Sequence, residues 1–393
     1  MEKYPSSRKF NTKQPEIIAV TGPRQAGKTT VIKHILETIE NTVSYSFDDP
    51  LIAEAFSSDV HVFYQRYMKG YAIVFLDEIQ YIKESGKILK LLYDTYPDVK
   101  IIISGSSTPE ISIQSIKHLV GRVFLVTVLP FSFMEFLSYK SPKLYEIQKE
   151  SKKNTASVFE LKKLSLEYMT YGGYPRVIIE QEEERKQNIL KQIYSTLFLY
   201  EVKDIASFIE SQKLQKLFVA LSNISGSIIE YTKLANIIGL RYEKVKELCE
   251  LLESLYCLKI VRPFFSNKLK EIIKAPKIYF LDPGLRNCII DDFRNPEIRT
   301  DKGELFELLV NRCLFDTYKN TSYWRTKNNF EIDFIVEAEQ KDIYGFECKY
   351  SHEWIKKSTT ESFTSLYPEH KGLTVVSLNP DYKKEGSIGP WDI

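Results

Sequence analysis

From Gly22 the chain reads Gly-Pro-Arg-Gln-Ala-Gly-Lys-Thr, two glycines separated by four residues and followed by a lysine and a hydroxyl. That spacing suits a polyphosphate. Gly22 and Gly27 let the backbone turn so that its N–H groups face an anion. Lys28 can reach the β- and γ-phosphates, and the Thr29 hydroxyl can ligate Mg²⁺. Pro23, Arg24, Gln25, Ala26 and Thr30 complete the expected cradle. Further on, the apolar run 72–76 ends in Asp77-Glu78. An acidic pair at a strand end can hold Mg²⁺ through Asp77, while Glu78 orients and polarises a water. The run 99–104 then leads into small polar residues, of which Ser104 or Ser106 could sense the γ-phosphate. Near the C-terminus, Glu347 and Lys349 stand two apart in a strand-like run and so face one side. Asp333, on the preceding run, can share that side. Two carboxylates and a strand carbonyl can hold Mg²⁺ against a scissile phosphate, and Lys349 can activate water or stabilise the charge that develops.

These groups need elements to position them. Residues 16–21 are a short β-branched run that reads as a buried strand, and the helical pattern after Thr29 supplies a helix N-terminus for the phosphates. Strand, glycine loop and helix is the context the motif requires. A further strand is predicted over 42–47, and helices over most of 131–211. Residues 214–224, 231–239 and 241–255 give three helices, with Gly239 between the second and third. Strands at 258–265 and 277–281, joined through a polar turn at 266–268, complete the pattern of a winged helix. The stretch 211–290 holds 13 Lys/Arg against 7 Asp/Glu, whereas the whole chain is only +2. Arg241, Tyr242, Lys244 and Lys246 on the third helix, and Lys268, Lys270 and Lys274 on the wing, could contact DNA phosphates. Glu243, Glu247, Glu250 and Glu253 dilute that face, which leaves a protein partner open. The last hundred or so residues follow the order helix, three strands, helix, strand.

The phrases GPRQAGKTT, VFLDEIQ, IIISGSS, LVGRV at 119–123, LPFSFMEF at 129–136 and YGGYPR at 171–176 join into a resemblance. The chain resembles a family of archaeal and bacterial AAA+-superfamily P-loop ATPases that carry a winged helix and a C-terminal domain with a restriction-endonuclease-like fold. The resemblance implies an α/β architecture in four parts. A P-loop ATPase core spans 1–130 and a helical lid 131–210. A winged helix spans 211–295 and a nuclease-like domain 296–393. It implies that Gly173-Tyr174-Pro175 is the element that lies beside the nucleotide in the helical region, so Pro175 is a candidate nucleotide contact. Arg122 matches the family's Gly-Arg phrase and would complete a nucleotide or subunit contact, an ordinary surface ion pair being the alternative. At the C-terminus, Asp333, Glu347 and Lys349 match the D…ExK signature, and Glu307 the acidic position of the first helix, a further metal candidate. Cofactors implied are ATP and Mg²⁺. ATP/ADP and DNA are the implied partners, and a homo-oligomer is left open. Whether the nuclease-like domain cleaves, or is silent within a nucleotide-controlled switch, stays open too.

Composition fits this picture without deciding it. Apolar residues make up 43% and charged residues 27%, as in an ordinary globular protein. Five cysteines in no CxxC pair argue against a disulfide framework and for thiols in a reducing cytoplasm. No run approaches the roughly 20 apolar residues of a membrane span. The polar start of the chain has no signal-peptide core.

Overall fold

In the computed structural model, residues 17–105, 119, 121–150, 154–197, 208–265, 274–318, 320–338, 342–351, 354–382 and 386–393 are described. They form two compact units. One runs to Pro130 and includes Ser254–Tyr256; the other comprises Phe131–Glu253 and Cys257–Ile393.

The first unit is a five-stranded parallel sheet in the order β2-β3-β4-β1-β5. Its strands are β1 (Ile17–Thr21), β2 (Thr42–Ser46), β3 (Ile73–Asp77), β4 (Lys100–Ser104) and β5 (Val123–Thr127). β1, β3 and β4 are buried at every position. That is why they read as unbroken apolar runs rather than alternations: a parallel sheet is covered on both faces. β4, formed by the apolar run at 99–104, lies between β1 and β3. β5 was not anticipated. Among the described residues it is an edge strand, paired with β1, and Phe124 and Leu125 on it are 58% and 46% exposed. Two apolar clusters fill the two sides of the sheet, the larger gathering Phe47, Phe56, Phe63, Leu76, Leu89 and Leu92.

The second unit begins with helices Phe133–Lys140, Pro142–Lys149, Thr155–Tyr171, Pro175–Ile179 and Glu183–Thr196. Ser132 caps the first through a reciprocal capping box with Glu135. Helices Phe208–Asn223, Tyr231–Ile238 and Tyr242–Ser254 follow, and Gly239 closes the second in the left-handed conformation at φ 72°. Then come β6 (Leu258–Pro263) and β7 (Lys277–Phe280), an antiparallel pair. The turn expected at 266–268, with Lys268 and Lys270, lies outside the described residues, as does Ser106.

The last part supplies helix Lys302–Tyr318, β8 (Ser322–Arg325), β9 (Glu331–Glu337), β10 (Ile343–Lys349), helix Lys357–Leu366, β11 (Gly372–Ser377) and a short β12 (Ser387–Ile388). Its sheet does not stop at β8. β6 pairs with β8 in parallel through Arg262 and Pro263, which gives one seven-stranded sheet in the order β12-β11-β10-β9-β8-β6-β7.

In the second unit one helix had no counterpart in the sequence reading. Pro283–Ile289 is buried from Pro283 to Cys288 although it contains Arg286 and Asn287. The Asn287 amide donates to the carbonyls of Met169 and Thr170, both at 2.9 Å. Those are among the carbonyls that the end of helix Thr155–Tyr171 leaves unpaired. Arg286 donates to the Ser222 carbonyl at 2.9 Å and pairs with Asp301. A polar helix thus satisfies the backbone of its neighbours from within the core. Among the described residues no helix is long and apolar enough to cross a membrane. The five cysteines are free thiols.

Candidate functional sites

The loop after β1 has the backbone that its glycines foretold. Gly22 sits at φ 141°, Gln25 at 61° and Gly27 at 91°. A Cβ on Gly22 would lie 1.9 Å from the Val128 carbonyl oxygen, so only glycine fits. The helix that follows, Lys28–Leu36, has no side-chain cap and no acidic residue in its first turn. Its N-terminal N–H groups and partial positive charge therefore face the loop uncompensated, which is the arrangement that takes an anion. Lys28 is 7% exposed, and its ammonium donates to the carbonyls of Gly22 and Pro23, each at 2.9 Å. Ala26 is buried, Pro23 is buried, Arg24 and Gln25 are partly exposed, and Thr30 is exposed.

Asp77, at the end of β3, meets this loop. Its Oδ2 accepts from the Thr29 hydroxyl at 2.9 Å. Its Oδ1 accepts from the Glu78 amide at 3.1 Å and from the Ser104 hydroxyl. A carboxylate joined to the loop hydroxyl by neutral donors fits Mg²⁺ held jointly by Thr29 and Asp77, since a hydrated cation can exchange for those donors. Glu78 stands in the left-handed region at φ 58°, and its carboxylate accepts from the Gln80 amide. Burial raises its pKa, with the Gln80 bond opposing and the nearby Asp77 charge adding. Gln80 is a partner that sequence reading overlooked. The DEIQ phrase was its signal.

Arg122 is not brought to this loop. β5 runs parallel to β1 with Val123 opposite Ile17, so Arg122 lies at the amino end of the sheet. The glycine loop leaves from the carboxyl end, a strand of about 16 Å away. There Arg122 pairs with Asp94 at 2.9 Å and lies over the Tyr93 ring. Pro175 belongs to the second unit, where it opens helix Pro175–Ile179. The turn before it is pinned by Asp282, whose Oδ2 accepts from the Gly173 amide at 2.7 Å and whose Oδ1 accepts from Leu285 at 2.8 Å. A Cβ on Gly172 would strike that carboxylate at 2.2 Å, and one on Gly284 would lie 2.1 Å from the Tyr171 carbonyl oxygen.

The C-terminal sheet does bring the four remaining candidates together. β9 and β10 pair as far as Phe334 opposite Phe346. One step beyond, Glu347 stands opposite Asp333. The Asp333 Oδ2 accepts from the Cys348 amide at 2.8 Å, taking over as acceptor where the strand pairing ends. Lys349 pairs with Glu347 Oε1 at 2.9 Å. Glu307, from helix Lys302–Tyr318, accepts from the Tyr279 hydroxyl at 3.0 Å. Burial raises the Glu307 and Glu347 carboxyls, the charge of Asp333 adding to both. Burial raises Asp333 as well.

Sequence reading missed the cation in this group. Lys277, the first residue of β7, has its Nζ 2.6 Å from Glu331 Oε1 and 3.9 Å from Asp333 Oδ1. Burial alone would lower its pKa, but Glu307, Asp333 and Glu331 turn the shift upward. A lysine alternating with Tyr279 in an otherwise apolar strand was the available signal. Among the described residues, no three His, Cys, Asp or Glu side chains gather closely enough to hold a metal ion. The donor set here, threaded by an ammonium, does not fit a divalent cation.

Three segments of the chain match known domain families. Residues 14–137 match the model of an AAA domain. The N-terminal unit has a P-loop ATPase fold, and this match covers most of it. Residues 162–295 and 302–391 match two domains of unknown function, DUF8612 and DUF4143. The chain is similar to the uncharacterized protein MJ1544 of Methanocaldococcus jannaschii, 26% identical over 84% of this chain and 74% of that one. It is also similar to the uncharacterized protein Rv2008c of Mycobacterium tuberculosis, 24% identical over 85% and 70%. Among solved structures it overlaps the Aeropyrum pernix ORC2 protein at 12% identity and TM-score 0.36, covering 70% of this chain and 86% of that one. It overlaps the replication initiator DnaA bound to AMPPCP and single-stranded DNA at 15% and 0.27, covering 62% and 83%. Overlaps that loose carry no argument about function.

Proposed function

We propose that the protein hydrolyses ATP in its AAA domain and uses the nucleotide state to control binding to DNA through the segment read as a winged helix. One observation carries the first half: the Thr29 hydroxyl on Asp77 Oδ2 at 2.9 Å, with the Lys28 ammonium and an uncapped helix N-terminus beside it. In this reading the loop Gly22–Thr30 holds the phosphates and Lys28 neutralises the transferred one. Thr29 and Asp77 hold Mg²⁺, Glu78 polarises the water and Gln80 orients Glu78. The test is phosphate release from ATP by the full chain with Mg²⁺. Turnover that Glu78→Gln abolishes supports the assignment, and turnover indifferent to that change overturns it.

The DNA half rests on Arg241, Lys246 and Lys274, which are exposed, and on the basic excess of 211–290. Lys244 is already paired with Glu247 at 3.2 Å. Anisotropy of a labelled duplex should show binding that weakens steeply with salt. Arg241→Ala and Lys246→Ala should each lower the salt slope by about 1. If the parent protein binds no duplex or single strand at low salt, the second reading takes over: a nucleotide-controlled switch on a protein partner. Part of that second reading, a catalytically silent C-terminal domain, is favoured independently by the Lys277 ammonium among the carboxylates.

A further inference from the structure

The acidic centre of the second unit carries a cation of its own, and that cation comes from outside the C-terminal strands. The Lys277 side chain is 5% exposed and reaches Glu331 at 2.6 Å and Asp333 at 3.9 Å, with the Tyr323 ring 5.5 Å from its nitrogen. A buried ammonium is tolerated only where it is paired, and buried carboxylates likewise. Here the two needs cancel. The other carboxylates are engaged as well. Glu307 accepts from Tyr279, which shares β7 with Lys277; Asp333 accepts from the Cys348 amide; Glu347 Oε1 takes Lys349. Glu347 Oε2 is buried without a hydrogen-bond partner. A doubly charged ion there would be repelled by two ammonium groups, those of Lys277 and Lys349.

We propose that Lys277 is the resident cation of this centre, pairing Glu331 and Asp333 where a divalent metal would otherwise balance their charge, so that Lys277, Glu331 and Asp333, with Glu307 held by Tyr279 on the same strand as Lys277, form a metal-free lock tying β7 to β9. This deepens the reading in which the C-terminal domain is silent. It concerns the acidic centre alone, and ATP turnover measured on the same preparations reports separately on the AAA domain.

The test is Mn²⁺ uptake by the nucleotide-free full chain, read from the electron paramagnetic resonance of the free ion. The parent and Glu347→Gln should take up the same amount. An extra ion per chain in the parent, lost in Glu347→Gln, overturns the proposal. That comparison needs no change at Lys277. The lysine itself is tested by melting. Lys277→Met should lower the Tm by at least about 6 °C, because breaking a buried pair strands its partner. A second change, Glu331→Gln, should restore much of the loss. Failure of Lys277→Met to fold while Lys277→Arg folds and melts near the parent supports the same conclusion. A Lys277→Met chain that melts with the parent refutes it.

Discussion

Asp77 and Asp333 are both strand aspartates, 7% and 9% exposed, and both were read as metal ligands. Their surroundings differ in one respect. Asp77 is held by neutral donors, the hydroxyls of Thr29 and Ser104 and the amide of Glu78. Asp333 is held by an amide and an ammonium. Neutral donors leave the carboxylate its charge, and a hydrated cation can take their place. An internal lysine spends that charge inside the protein. Spacing along a strand decides which carboxylates share a face; it does not decide what neutralises them.

The largest effect expected from this contrast is at Lys28. In the first unit the lysine lines an anion site, its ammonium on the carbonyls of Gly22 and Pro23, so Lys28→Ala should cut phosphate release by about 10²–10³-fold. The fold should hold, since those carbonyls belong to a loop and not to a strand or helix. Near-parental turnover would erase the distinction between a lysine that serves a ligand and one that serves the core.

Asp282 sharpens the comparison with a third kind of buried carboxylate, held chiefly by backbone N–H groups. Burial lifts its pKa to about 6, against 3.8 ordinarily, despite the bonds from Gly173 and Leu285. The folded form therefore holds this proton more tightly than the unfolded chain does. Its stabilising contribution is complete below about pH 4 and declines as pH rises through about 6. The shift corresponds to about 3 kcal/mol. Asn at this position does not titrate. The stability deficit of Asp282→Asn, from urea unfolding of the full chain, should thus be largest near pH 4 and shrink by about 2–3 kcal/mol by pH 7. A deficit that does not change with pH would mean the carboxyl is not desolvated as its 2% exposure implies.

How much of this was legible follows from the kind of interaction involved. The nucleotide loop was legible residue by residue, because its chemistry is local: the glycines, Lys28 and Thr29 lie within one turn, and Asp77 closes the next strand. The three strands that are buried runs, β1, β3 and β4, were legible for the same reason. The C-terminal element order was legible too, and so was the shared face of Asp333 and Glu347. What escaped was non-local. Lys277 was assigned to a wing strand because nothing in its neighbours announces Glu331. The single sheet formed by β6 and β8 rests on two residues, Arg262 and Pro263, that carry no pairing signal. The helix Pro283–Ile289 looked too polar for a core, since its Arg286 and Asn287 bond to carbonyls supplied by segments far away in sequence. Arg122 is the opposite case: its motif left a nucleotide contact, a subunit contact and a surface ion pair open, and the parallel register of β1 and β5 carries it to the sheet end away from the glycine loop, where it pairs with Asp94.

Arg122 also gives the smallest effect. Its pair with Asp94 is about a third exposed, so Arg122→Ala should change stability by less than about 1 kcal/mol. Turnover at low protein concentration should stay within about twofold of the parent, because the guanidinium lies at the sheet end away from the glycine loop. The informative measurement is turnover against protein concentration. If activity per chain rises with concentration in the parent and the rise disappears in Arg122→Ala, the arginine acts across a subunit contact, the other role its motif allowed. If both proteins give the same flat line, Arg122 is a surface ion pair with a ring beneath it. In either case a large loss at high dilution would contradict the sheet register, and with it the separation of the two ends of the first unit.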